Sequence, residues 1–213
     1  MVIHLKKKII EEHFRVTIFG SARINPEDPN YKLIYKLAKR IAKEGIDIVT
    51  GGGPGLMDAA SRGHYAGRKS RKVYFVGLTI QLPNKQKRSY HLDIQRDFHK
   101  FSNRLDNFMK LSNVVVVAPG GVGTSLEFFY TWQLIQVNHI CNTPIIMIGK
   151  EWKALISWVK RYPLRNKLLK KEDLKSIYCV ETISEAMKII NAAHTQYKKG
   201  KSNLCLNIKK YKV

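Results

Sequence analysis

In the run PGGVGTSLE, Pro119 to Glu127, three glycines, two hydroxyls and one carboxylate follow directly on the apolar stretch VVVV. Glycine-rich backbone opening a helix leaves N–H groups free to meet an anion, and the helix dipole adds positive potential there. Gly120, Gly121, Gly123 and Thr124 therefore suit a phosphate, with Thr124 expected at the N-cap and Ser125 in the first turn. Glu127 has two readings. A carboxylate three residues after an N-cap threonine completes a capping box. Beside a bound ribose, the same carboxylate can stabilise an oxocarbenium-like centre and orient water, which is the chemistry of N-glycosidic bond cleavage.

A second cluster, Gly51, Gly52, Gly53, Pro54 and Gly55, leaves the run IDIVT and enters the segment LMDAASRGHYAG. With almost no side chains, its backbone can approach a phosphate or ribose closely. A tight strand-to-helix turn wants glycine equally. The spacing matches neither GxGxxG nor GxxxxGK[ST]. Arg104 precedes the VVVV run on an expected helix, from which a guanidinium can pair with phosphate or hold Glu127; read alone it is one basic residue among many.

Other chemistry is not indicated. His64, His91, His99 and His139 share no metal-ligand spacing, and Cys141, Cys179 and Cys205 form no CxxC or CxxH pattern. Neither metal nor cofactor is expected, and three separated thiols fit a reducing compartment. No GxSxG nucleophile elbow is present. Phe128, Phe129, Tyr130 and Trp132 are too crowded for one buried helix face, so part of the group is expected to meet a partner subunit.

These residues need a scaffold. RVTIFG, IDIVT, VYFVGLTI, VVVV and TPIIMIG read as strands, and they alternate with helical patterns such as Leu33, Ile34, Leu37, Ala38 and Ile41 before Gly45. Continuous apolar strands alternating with helices predict an α/β fold: a single-domain, doubly wound, mainly parallel sheet, Rossmann-like, with helices on both faces. Ligands of such sheets bind beyond the carboxyl ends of the strands, where both glycine clusters lie. The expected organisation is a basic extension over 1–14, one domain over 15–197 and a basic, flexible tail over 198–213 holding six lysines and no acid.

The net charge of +22 over 213 residues attracts anions, from nucleotides to nucleic acid, without choosing among them. No apolar run approaches the roughly 20 residues that span a bilayer. The charged start MVIHLKKKIIEEHF lacks the apolar region of a secretory signal. A cytoplasmic protein without membrane association is expected.

GSAR at Gly20 to Arg23, GGGPGLMDAA at Gly51 to Ala60 and PGGVGTSLE occur in that order at intervals that resemble the LONELY GUY (LOG) family. The likeness covers roughly residues 15–160. Its signature PGGxGTxxE is met at every fixed position, and LIQ at Leu134 to Gln136 is similar to the family's bacterial branch. Members were long labelled lysine decarboxylase-like, and the better-studied ones are cytokinin riboside 5′-monophosphate phosphoribohydrolases. No lysine here stands in a recognisable pyridoxal-phosphate motif.

The resemblance implies that the PGGVGT loop cradles a 5′-phosphate, with Ser21 and the Gly51–Gly55 loop completing the nucleotide site. Glu127 would work at the ribose and Arg104 would be the catalytic arginine. It also implies a homodimer and, as substrate, a nucleoside 5′-monophosphate such as AMP or a cytokinin riboside monophosphate. Two departures stand out: Leu105 replaces the usual lysine, and Leu126 replaces a frequent second acid. The alternative is a non-catalytic nucleotide- or nucleic-acid-binding Rossmann module, which the +22 charge favours.

Overall fold

The computed structural model describes residues 13–70, 72–83 and 87–200. Seven strands form one sheet: β1 (Arg15–Phe19), β2 (Asp47–Thr50), β3 (Phe75–Ile80), β4 (Ile94–Phe98), β5 (Val114–Val117), β6 (Ile145–Ile148) and β7 (Ile177–Val180). Their order is β4-β3-β2-β1-β5-β6-β7, and every neighbouring pair is parallel. The expected doubly wound, Rossmann-like α/β architecture is what forms.

Six helices cover it: α1 (Pro29–Lys43), α2 (Leu56–Gly67), α3 (Phe101–Leu111), α4 (Val122–Gln136), α5 (Trp152–Val159) and α6 (Ile183–Lys198). Alternate side chains of each strand face opposite layers. Val16, Ile18, Ile48, Val114 and Val116 pack with Ile34, Leu37 and Ile41 of α1, Leu56 and Ala59 of α2, and Ile190 of α6. Phe19, Val49, Val115 and Val117 pack on the other side with Phe108 of α3, Phe128 and Trp132 of α4, and Trp152 of α5. Burial on both faces is why the central strands read as unbroken apolar runs.

Local chemistry sets the helix ends. Asp28 caps α1 by accepting from the Asn30 N–H at 2.7 Å, with Pro29 in the first turn, where its missing donor is not needed. Gly45 follows at φ 74°. Thr182 and Glu185 form a capping box on α6.

Two expectations need correction. Cys179 is a free, exposed thiol, but Cys141 is disulfide-bonded, so a set of three thiols does not hold. The helix after PGGV starts two residues before Thr124: Gly121 is the N-cap and Thr124 the third helical residue. Of the expected extension over 1–14 only His13 and Phe14 lie within the described residues, and of the tail over 198–213 only 198–200 do.

Candidate active site

Strands β1 and β5 are neighbours, but the chain leaves β1 for α1 on one face and leaves β5 for α4 on the other. This divergence opens a crevice at the carboxyl edge of the sheet, the place where such folds bind ligands. A cavity of about 390 Å³ occupies it, bordered by Ser21, Gly51, Arg104, Gly121, Gly123, Thr124 and Glu127. Residues named from motifs far apart in sequence are thus brought to one hollow.

At its mouth stands the N-terminus of α4. No side chain caps it, so the first N–H groups of the helix have no intrahelical acceptor. A Cβ on Gly121 or Gly123 would meet nothing within 4 Å, which leaves this backbone open to a ligand. Gly120 does not border the cavity; it lies against the Thr124 side chain, where a Cβ would collide.

Glu127 cannot act in a capping box, because Thr124 is not the cap. Its carboxylate instead faces Arg104, with Oε1 3.3 Å from Nη1. Arg104 is buried on α3, donates from Nε to the Leu78 carbonyl at 2.6 Å, and lies over the Phe108 ring with 4.9 Å to the centroid. The guanidinium is therefore fixed at two points. Burial pushes the Glu127 carboxyl up to about 7, against the pull of Arg104, which favours the charged form. Burial likewise lowers the Arg104 guanidinium, opposed by Glu127. A carboxyl poised near neutrality, beside a fixed cation, can take up or hold a proton during a reaction.

The other glycines serve geometry as much as binding. Gly51 borders the cavity, and a Cβ there would fall on the Arg104 guanidinium and 2.8 Å from Met57 Sδ. Gly52 adopts φ 67°, and its N–H donates to Thr50 Oγ1. The Gly52 and Gly53 carbonyls both accept from Ser89. Gly55, at φ 68°, lies under the Ser21 carbonyl and borders neither this cavity nor the one adjoining it. Ser21 itself donates its N–H to the Pro119 carbonyl at 3.0 Å, accepts from the Leu56 N–H at 2.9 Å, and turns its hydroxyl to the Arg23 N–H.

Sequence reasoning missed the apolar walls Met57, Ile80, Leu82 and Phe101. It also missed an adjoining cavity of about 460 Å³, which shares Gly51, Met57, Ile80, Leu82 and Arg104 with the first and adds Gly52, Gly53, Thr79, Gln81, Lys87, Arg88 and Asp97. Leu82 carried a weak signal, lying two residues past the carboxyl end of β3. Leu105 is buried and borders neither cavity, and Leu126 is exposed beside them, so neither departure faces the hollow.

Fold and site together define a Rossmann-like α/β protein with an anion-ready crevice at the switch point of a parallel sheet. The chain belongs to the LOG-type, lysine decarboxylase-like family: the family described as "Possible lysine decarboxylase" matches residues 57–190. A pyrimidine/purine nucleotide 5′-monophosphate nucleosidase of Escherichia coli K12 is 27% identical over 150 residues, which is 65% of this chain and 32% of that protein. The chain thus spans about a third of the length of this curated relative. Among solved structures, the molybdenum cofactor binding protein of Rippkaea orientalis (TM-score 0.65, 18% identity, 85% of this chain and 98% of that one) shares the fold. So does the molybdenum cofactor carrier protein of Chlamydomonas reinhardtii (TM-score 0.61, 17% identity, 86% and 99%). DNA processing protein A of Helicobacter pylori, whose structure concerns single-stranded DNA binding, is more distant (TM-score 0.50, 18% identity, 91% and 85%).

A decarboxylase using pyridoxal phosphate needs a lysine amine for the Schiff base. No lysine borders the cavity around Glu127, and the lysine of the adjoining cavity, Lys87, does not reach its lining. The residues do not fit that group, and no step is derived through it.

Proposed function

We propose that the protein is a nucleoside 5′-monophosphate phosphoribohydrolase, cleaving the N-glycosidic bond to release a free base and ribose 5-phosphate. The observation that carries this reading is the buried Arg104–Glu127 pair beside the uncapped N-terminus of α4. The 5′-phosphate accepts from the open N–H groups of that helix, which sets the sugar against Glu127. As the bond from C1′ to the base nitrogen breaks, its electron pair leaves with the base and positive charge grows on the sugar. Ionised Glu127 stabilises that charge and accepts a proton from the attacking water, whose oxygen bonds to C1′; the departing base takes a proton from solvent and Glu127 gives its proton back to solvent, so that one water is consumed and no net proton. Arg104 holds the carboxylate in place. Preorganised charge and positioning supply the acceleration.

The resemblance and the family carry the finer reading: AMP or a cytokinin riboside monophosphate as substrate, in a cytoplasmic homodimer. Val122, Leu126 and Phe129 lie exposed on one side of α4 at helical spacing, which supports pairing of subunits through that helix. Light scattering of the purified protein reads the dimer directly.

The deciding experiment is incubation with AMP, CMP, GMP, UMP and isopentenyladenosine monophosphate, following free base by chromatography, with Glu127→Ala as control. Release that depends on Glu127 supports the hydrolase; release unaffected by the substitution refutes the mechanism.

The +22 charge favours a second reading, a non-catalytic nucleic-acid-binding module. Such binding weakens steeply with salt and strengthens with strand length, whereas a mononucleotide site saturates at one ligand per chain.

A further inference from the structure

The reading above leaves the base unassigned. With the phosphate at the N-terminus of α4 and the sugar at Glu127 and Arg104, the base must extend past Arg104. The adjoining cavity of about 460 Å³ begins there, since Arg104, Gly51, Met57, Ile80 and Leu82 border both hollows. Its walls suit a flat heterocycle: bare glycine backbone at Gly51 to Gly53, with Met57, Ile80 and Leu82 offering apolar surface.

One carboxylate borders it, that of Asp97 near the carboxyl end of β4. Its Oδ1 accepts from the Thr79 hydroxyl and from Gln95 Nε2 at 2.9 Å, and Oδ2 accepts from Gln95 Nε2 at 3.1 Å. A carboxylate offers about four lone-pair sites, so Oδ2 can take a further donor. Arg88 stands beside it, with Nη2 3.6 Å from Oδ1, and also borders the cavity. The hydroxyl of Thr79, followed by Gln95 and Arg88, holds the carboxyl below its ordinary value against the opposing effect of burial, so it stays an acceptor at neutral pH.

An acceptor with a donor beside it complements an edge that carries an amino group beside a bare ring nitrogen. Adenine and cytosine have that edge; hypoxanthine and uracil place a carbonyl oxygen where the amino group would be, and two acceptors then face each other. We infer that Asp97, with Arg88 beside it, reads the exocyclic amino group of the base and so selects amino-bearing nucleotides over their oxo counterparts. An adenine substituted once on that nitrogen keeps one N–H and remains acceptable. This inference rests on the proposed orientation of a nucleotide in the site.

The test compares AMP with IMP, which differ only at that position and its adjoining ring nitrogen. Dissociation constants are measured by calorimetry in a Glu127→Ala background, which does not consume the nucleotide, for the chain otherwise wild type and for Asp97→Asn. The chain with Asp97 intact is expected to bind AMP roughly tenfold more tightly than IMP. In Asp97→Asn the amide can donate to the carbonyl oxygen, and the ratio should fall to about one or below. Equal affinities with Asp97 intact, a ratio unchanged in an Asp97→Asn variant that melts normally, or no binding of either nucleotide would each overturn the inference. The ratio with Asp97 intact serves as the test even if the Asp97→Asn variant does not fold. A preference in binding with no base release from any nucleotide by the wild type would refute the hydrolase while leaving the role of Asp97 intact.

Discussion

Arg104 spans two elements at once: Nε donates to the Leu78 carbonyl within β3, and Nη1 lies 3.3 Å from Glu127 Oε1 on α4. The guanidinium thereby fixes the distance between the sheet edge and the carboxylate proposed to act on the sugar.

Removing the carboxylate should separate catalysis from binding. Charge on the sugar develops only in the transition state, so Glu127→Ala is expected to lower kcat by about 10²–10⁴-fold with a much smaller change in KM. Steady-state kinetics on the best substrate from the nucleotide panel checks this.

Arg104→Lys should fail to rescue Arg104→Ala. An ammonium on a flexible stem cannot hold the Leu78 carbonyl and Glu127 together in the planar geometry of a guanidinium. Both variants are expected to raise KM and lower kcat, and the lysine variant should recover less than a tenth of wild-type kcat/KM.

Gly51→Ala places a methyl against the Arg104 guanidinium and 2.8 Å from Met57 Sδ. Displacing the arginine by about 1 Å should reduce kcat/KM by roughly 100-fold. Thr182→Ala serves as the contrast: losing the cap of α6 should destabilise the fold by about 1 kcal/mol with kcat unaltered. Urea melts and assays on both variants distinguish a site effect from a fold effect.

Glu127 also makes a signed pH prediction. Its folded-state value of about 7 lies above the ordinary carboxyl value. Between the two, the folded protein binds more protons than the unfolded chain, so this group's contribution to stability declines as pH rises from about 4.5 to 7. Glu127→Gln should therefore gain stability relative to wild type across that window and hold a constant difference above it. If ionised Glu127 is the active form, kcat/KM rises with pH through the same region. Thermal melts from pH 5 to 8 and a pH–rate profile test the two parts separately.

Much of this was legible from residues. The apolar runs at Val114 and Ile145 marked central strands because burial on both faces leaves few polar positions. The NPEDPN turn held the α1 cap in Asp28 and Pro29. Strand β4 did not show itself: IQRDF lies at the sheet edge, where charged side chains discourage further pairing and erase the apolar pattern. Asp97 was missed with its strand. Thr124 was placed at the cap because hydroxyls favour that position, whereas the glycines before it let the helix begin earlier with bare N–H groups. The Arg104–Glu127 contact is one of the two roles the sequence offered Arg104; it joins residues 23 positions apart on different helices, so only the fold could choose it.

The two hydrogen bonds of the Ser21 peptide, to Pro119 on one side and Leu56 on the other, rivet both glycine turns to a single point. The ends of the hollow proposed to hold phosphate and sugar must then behave as one anvil: the Ser21 and Leu56 amides should exchange with deuterium together and slowly. On the proposed reading, adaptation to a different base falls instead to residues 87–98, including strand β4, which can change their side chains without loosening the anvil.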